Sequence, residues 1–176
     1  MAPLSAQKNT APTLAAMSKK ATPATLALEK AGLPFEVVAF EHDPSVQNYG
    51  EEAAAALDTP AERIAKTLLV ESDKGLAVGV VPVTGLLNLK AMAAALGAKK
   101  ATMCDPKVAE RVTGYVVGGI SPFGQKKRLP TVVDSSLESH EDVLVSGGRR
   151  GFDLRVSPQV LVQATGAVFA EIARPR

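Results

Sequence analysis

The residues best suited to chemistry in this chain are concentrated in Gly118-Gly119-Ile120-Ser121-Pro122-Phe123-Gly124-Gln125-Lys126-Lys127-Arg128. Adjacent glycines let backbone N–H groups meet a ligand with no Cβ in the way, as an anion or a developing oxyanion requires. The three cations that close the stretch suit a phosphate-bearing partner. The same residues are also ordinary loop punctuation followed by a solvated turn, and these letters alone leave both readings open. Arg149 and Arg150 occupy a second turn, Gly147-Gly148-Arg149-Arg150-Gly151. The five cations form one basic rim if the turns converge, and two solvated hairpin tips if they do not.

Lys66 lies in Ile64-Ala65-Lys66-Thr67-Leu68-Leu69-Val70. Strand alternation places it on the face of Leu68 and Val70, with Leu69 on the other. A strand apolar on both faces is buried, and a buried ammonium needs an anion to meet it. At the first position of the strand it can instead snorkel to solvent. His42 sits in the turn Glu41-His42-Asp43-Pro44, where a histidine is more often structural than catalytic. Asp153 and Asp134 each orient a substrate amine or cap a turn. Ser121 has no adjacent base and no nucleophile elbow around it, and Walker A and Rossmann glycine patterns are absent. Phosphate contact therefore reads as recognition of an end, not as nucleotide hydrolysis.

Composition narrows the classes further. A chain of 176 residues with 46% hydrophobic side chains fills one domain with a substantial core. Aromatic residues at 4% and the absence of Trp leave few base-stacking platforms, and a net charge of +2 is too mild for non-specific nucleic-acid binding. A single cysteine, Cys104, rules out a disulfide framework and multi-cysteine zinc motifs, and His42 and His140 are far apart, so no metal site is expected. Cys104 follows Met103 in a predicted strand and reads as a buried side chain rather than a nucleophile. With no apolar run of membrane-spanning length and no secretory signal, a cytoplasmic protein is expected.

The elements that must position these residues are read from caps and periodicity. Residues 1–18 are an Ala, Pro, Thr, Ser and Lys stretch without periodicity, predicted to be a disordered extension within which Met17 is an alternative start; 19–176 form a single domain. Helices are predicted from Thr22-Pro23 to Gly32, over 51–57, from a Thr59-Pro60-Glu62 capping box, from Asn88 to Gly97, from Asp105-Pro106 to Gly114 and from Ser157-Pro158 to Gly166. Strands are predicted over 35–40, 65–71, 76–83, 101–104, 115–117, 131–134, 143–146, 152–156 and 168–172. The connections at 73–75 and 147–151 are too short for crossover helices, so the strands they join are antiparallel neighbours. The expected class is α+β, with a mixed, curved β-sheet or partial barrel surrounded by helices.

Taken together and in order, Glu41-His42-Asp43-Pro44, Ile64-Ala65-Lys66-Thr67-Leu68-Leu69-Val70, Asn88-Leu89-Lys90, the stretch from Thr113 to Lys127, and Val145-Ser146-Gly147-Gly148-Arg149-Arg150-Gly151-Phe152-Asp153 resemble the YbaK family of aminoacyl-tRNA deacylases. That family is related to the editing domain inserted in bacterial prolyl-tRNA synthetases, and the resemblance covers about 18–173. It implies a mixed β-barrel with surrounding helices, no cofactor, and removal of cysteine mischarged onto tRNA(Pro), with Cys-tRNA(Cys) a further candidate substrate. Lys66 matches the family's required pocket lysine, Gly118 a glycine beside the reacting ester, and Asp153 an acidic pocket residue. The implied substrate-lining residues are Phe40, His42, Gly119, Ile120, Ser121 and Pro122; the implied tRNA-contacting ones are Lys126, Lys127, Arg128, Arg149 and Arg150. In similar enzymes the substrate thiol attacks its own carbonyl. The expected partners are the 3′ end of tRNA(Pro) and prolyl-tRNA synthetase, which reads tRNA identity. Phe40 stands where the family often has tyrosine, which keeps Ala-tRNA(Pro) as an alternative substrate. A non-catalytic module binding tRNA ends or a synthetase is the alternative of another class.

Overall fold

The computed structural model describes residues 21–41, 43, 45 and 49–176; the stretch 1–18 and His42 lie outside them. In chain order the elements are α1 (Pro23–Ala31), β1 (Glu36–Ala39), α2 (Tyr49–Leu57), β2 (Ala65–Ser72), β3 (Gly75–Pro82), β4 (Gly85–Leu87), α3 (Leu89–Leu96), β5 (Ala101–Met103), α4 (Pro106–Thr113), β6 (Thr131–Asp134), β7 (Val143–Arg149), β8 (Phe152–Val156), α5 (Pro158–Thr165), β9 (Val168–Ala170) and β10 (Ala173–Pro175). Four helices start at side-chain caps visible in the sequence. Thr22, Asn88, Asp105 and Ser157 each accept a backbone N–H of the first turn, satisfying a donor the helix leaves unpaired.

Two expectations fail for local reasons, and one strand pair was not expected. The Thr59-Pro60-Glu62 capping box does not form: Thr59 Oγ1 donates back to Leu57 O at 3.1 Å, and only a 3₁₀ turn, Ala61–Arg63, follows without a side-chain cap. Residues 115–117 are not a strand. Tyr115 N–H donates to Thr113 Oγ1 and Val117 N–H to Glu110 Oε2, so these donors are spent on the end of α4 rather than on a ladder. The short strands β4 and β10 were not predicted, and they pair with each other.

The sheets are mixed, as expected, but they do not close into the barrel that the family resemblance implied. Five strands run in the order β5-β2-β3-β6-β9, with β3–β6 and β6–β9 parallel. A second sheet has the order β1-β8-β7, and its hairpin carries a bulge between Ser146 and Arg149. A parallel bridge from Ile64 to Leu144 joins the two. The main core cluster draws on both sheets, with Val80, Val133 and Leu154 wholly buried beside Phe123 and Phe152.

One feature of β2 positions the site. Its pairing with β5 begins only at Val70, and its bridge to β7 lies back at Ile64. Between those points Lys66 to Leu68 pair with β3 on one edge and, among the described residues, with no strand on the other. A cavity opens along that unpaired edge.

Candidate active site

The cavity measures about 580 Å³. Its walls come from β2 (Lys66), the loop after α4 (Gly118 and Ile120), the β7–β8 hairpin (Asp153 and Arg150) and Phe40 after β1. Segments far apart in sequence therefore meet here. Lys66 is half-buried, and its ammonium is held below the usual lysine range, first by lost hydration and then by the positive charge of Arg176. Asp153 is half-buried as a residue, but its carboxyl end lies deeper, and lost hydration pushes its pKa up to about 7. No charged neighbour contributes to that shift, and no ion pair joins Asp153 to Lys66 among the described residues. Lys66 and Asp153 thus give the cavity a cation and a separate carboxyl. That arrangement suits a substrate with an anion at one end and an amine at the other.

The glycine loop supplies backbone donors. Gly118 has φ 95°, the left-handed region that a side chain resists. Gly119 donates to Val116 O at 2.8 Å, closing the turn, and Val117 is engaged by Glu110. Gly118 and Ile120 line the cavity, and their N–H groups donate to no acceptor among the described residues. They are the pair that can face an oxyanion. Gly119 does another job: a Cβ there would sit 2.8 Å from Arg149 Cα, so only glycine lets the loop close on the hairpin.

Ser121 and Pro122 do not line the cavity. Ser121 is wholly buried, its Oγ accepts from Phe123 N, and the neighbouring Tyr115 hydroxyl donates to Phe123 O at 2.6 Å. The buried Tyr115 phenol is pushed well above its ordinary pKa by lost hydration. Ser121 and Gly119 therefore brace the loop from behind, with Pro122 buried beside them; of the expected lining residues, Phe40 and Ile120 reach the cavity. Of the five expected cations, only Arg150 does, with Nη2 donating to Val117 O at 2.8 Å. Arg149 lies 4.4 Å over the Phe152 ring. Lys126 and Lys127 are tied by backbone bonds to the carbonyls of Thr113 and Val112, and the guanidinium of Arg128 lies against Gly166. Asp134 caps the 3₁₀ turn that follows it, its Oδ2 accepting from Ser136 N at 3.2 Å, while its Oδ1 accepts from Ile172 N and Ala173 N, both at 2.8 Å.

Sequence reasoning missed Cys104, Ser146 and Arg176, all of which line the cavity. Cys104 comes just after β5 and is half-buried; lost hydration raises its thiol, which keeps it protonated at neutral pH. Ser146 precedes the bulge in β7, a feature that no local pattern announces. Arg176 follows the unpredicted β10. No cluster of three metal-ligating side chains occurs among the described residues.

Residues 43–164 match the aminoacyl-tRNA editing domain. The chain belongs to that family. A relative from Enterococcus faecalis, EbsC, is 38% identical over 123 residues, covering 69% of this chain and 75% of its own; its name assigns it by inference as a Cys-tRNA(Pro)/Cys-tRNA(Cys) deacylase. A crystal structure assigned by inference as a trans-editing enzyme for prolyl tRNA synthetase superposes with TM-score 0.78 at 27% identity, covering 86% of this chain and 95% of that one. Another, of a hypothetical protein, gives 0.79 at 30% identity, covering 87% and 100%. This editing domain is accordingly an aminoacyl-tRNA deacylase, and aminoacyl-tRNA is its substrate class. No helix among its described residues is long and apolar enough to cross a membrane.

Proposed function

We propose that this editing domain removes cysteine from tRNA(Pro), with Cys-tRNA(Cys) as a second substrate, and that it does so in trans to prolyl-tRNA synthetase in the cytoplasm. The observation that carries the reading is that Lys66, Gly118 and Asp153, drawn from three segments, line one cavity. Support for the substrate comes from the name of the 38% identical relative, and support for the synthetase from the trans-editing neighbour.

An aminoacyl ester is already activated, so the site has to orient it and stabilise the tetrahedral oxyanion. Lys66 takes the phosphate or ribose of the terminal adenosine. Asp153, when ionised, receives the α-ammonium, and the N–H groups of Gly118 and Ile120 face the ester oxygen. The substrate supplies its own nucleophile. The thiol sulfur attacks the ester carbonyl carbon, a C–S bond forms, the ester C–O bond breaks, and the thiol proton leaves with the ribose oxygen. The products are free tRNA and the cyclic thiolactone of cysteine. This route needs no protein nucleophile, which agrees with a buried Ser121 and a protonated Cys104.

Lys66→Ala, assayed on Cys-tRNA(Pro), is the test. Loss of a charge-assisted contact of about 1.5–3 kcal/mol lowers kcat/KM by roughly 10- to 150-fold. Parental activity in the variant would detach the cavity from the reaction.

A further inference from the structure

Arg176 lines the same cavity as Lys66 and belongs to no segment that the family pattern singles out. Its placement is built into the fold. Asp134 Oδ1 holds the N–H groups of Ile172 and Ala173, Ile172 is wholly buried, and β10 pairs with β4 through Ala173–Leu87, Arg174–Leu86 and Pro175–Gly85. The two strands approach closely: a Cβ on Gly85 would stand 3.0 Å from Arg174 O. Pro175 then restricts the backbone just before the arginine. The strand thus delivers Arg176 to the end of the cavity formed by the start of β2, where Val83 donates to Ile64 O.

The guanidinium is exposed and makes no ion pair among the described residues. Its charge opposes that of Lys66 strongly enough to help lower the lysine's pKa. Two cations facing one cavity repel each other unless an anion sits between them. Of the side-chain carboxylates that line the cavity, Glu52 accepts from Asp43 N–H, and Asp153 is drawn toward its neutral form by burial. A guanidinium fork matches two oxygens of a phosphate.

We propose that Arg176 is a second positioning cation of the site and takes, together with Lys66, the phosphodiester that precedes the terminal adenosine of the tRNA. The inference rests on the deacylase reading of the cavity. It assigns the exposed mouth to the phosphodiester and the deeper part, toward Gly118 and Asp153, to the aminoacyl group.

Two small probes test it with the full chain: adenosine, and adenosine 5′-methyl phosphate, which adds a diester and nothing of the preceding nucleoside. Calorimetry is expected to show the parent binding the diester about tenfold more tightly, as one charge-assisted contact allows. Arg176→Ala loses most of that preference, with Lys66 keeping a remainder, and Arg176→Lys recovers part of it. On Cys-tRNA(Pro), Arg176→Ala raises KM about tenfold with kcat kept, and flattens the slope of log affinity against log salt by about 0.7. Absence of a diester preference in the parent, a preference undiminished by Arg176→Ala, or equal weakening of both probes overturns the proposal. If the parent cleaves no aminoacyl ester, the deacylase reading falls by itself, while the two probes still decide whether Arg176 grips a phosphate.

Discussion

Asp153→Asn separates the electrostatics of the cavity from its shape. The carboxyl of Asp153 ionises near pH 3.8 in an unfolded chain and at about 7 in the folded one, because burial removes water from the charged form. Between those values the folded protein holds a proton that the unfolded chain releases, so stability falls as pH rises across the window. Below pH 3.8 and above 7 this group contributes no slope. A shift of about three units corresponds to about 4 kcal/mol at most, since one unit is about 1.4 kcal/mol. Asparagine nearly matches the shape and cannot ionise. Urea denaturation from pH 4 to 8 is expected to show the variant gaining on the parent by up to about 1.4 kcal/mol per pH unit, with the gain levelling off above pH 7. Activity runs the other way. The parent's kcat/KM rises with pH through about 7 as the carboxylate that receives the substrate ammonium forms, whereas the variant is slower and lacks that rise. Parallel stability curves for the two proteins would refute a dehydrated Asp153.

The remaining predictions concern the walls of the cavity. Gly119→Ala forces a Cβ to 2.8 Å from the Arg149 backbone, and a melt should record about 1–3 kcal/mol of lost stability together with loss of deacylation. Ser121→Ala keeps deacylation within a few-fold of the parent, because its hydroxyl serves Phe123 N rather than substrate; a collapse of kcat with stability intact would make Ser121 a reacting group. Asp134→Ala leaves the N–H groups of Ile172 and Ala173 without their acceptor, a cost of about 2–4 kcal/mol in chemical denaturation.

What was legible in the sequence was local. Thr22-Pro23, Asp105-Pro106 and Ser157-Pro158 mark helix starts because a cap and a proline act within one turn of backbone, and the β2–β3 hairpin follows from the length of its loop. Tyr115-Val116-Val117 has strand composition, but Thr113 and Glu110 take its donors, which only the packing of α4 shows. The strands β4 and β10 are three residues each and exist by pairing across about half the chain, so Arg176 had no local signal. Lys66, Gly118 and Asp153 each had a structural reading from the residues alone, and the family resemblance singled them out. Within the glycine stretch, spacing could not tell which residues look into the cavity. Gly118 and Ile120 do, while Gly119 and Ser121 brace the turn.

The most direct test of cysteine editing by this cavity is single-turnover deacylation of Cys-tRNA(Pro) and Ala-tRNA(Pro) at equal enzyme concentration. If the substrate thiol is the nucleophile, the cysteinyl ester is lost faster and cysteine appears first as its thiolactone. Equal or faster loss of alanine would contradict this, since alanine has no thiol to attack its own ester.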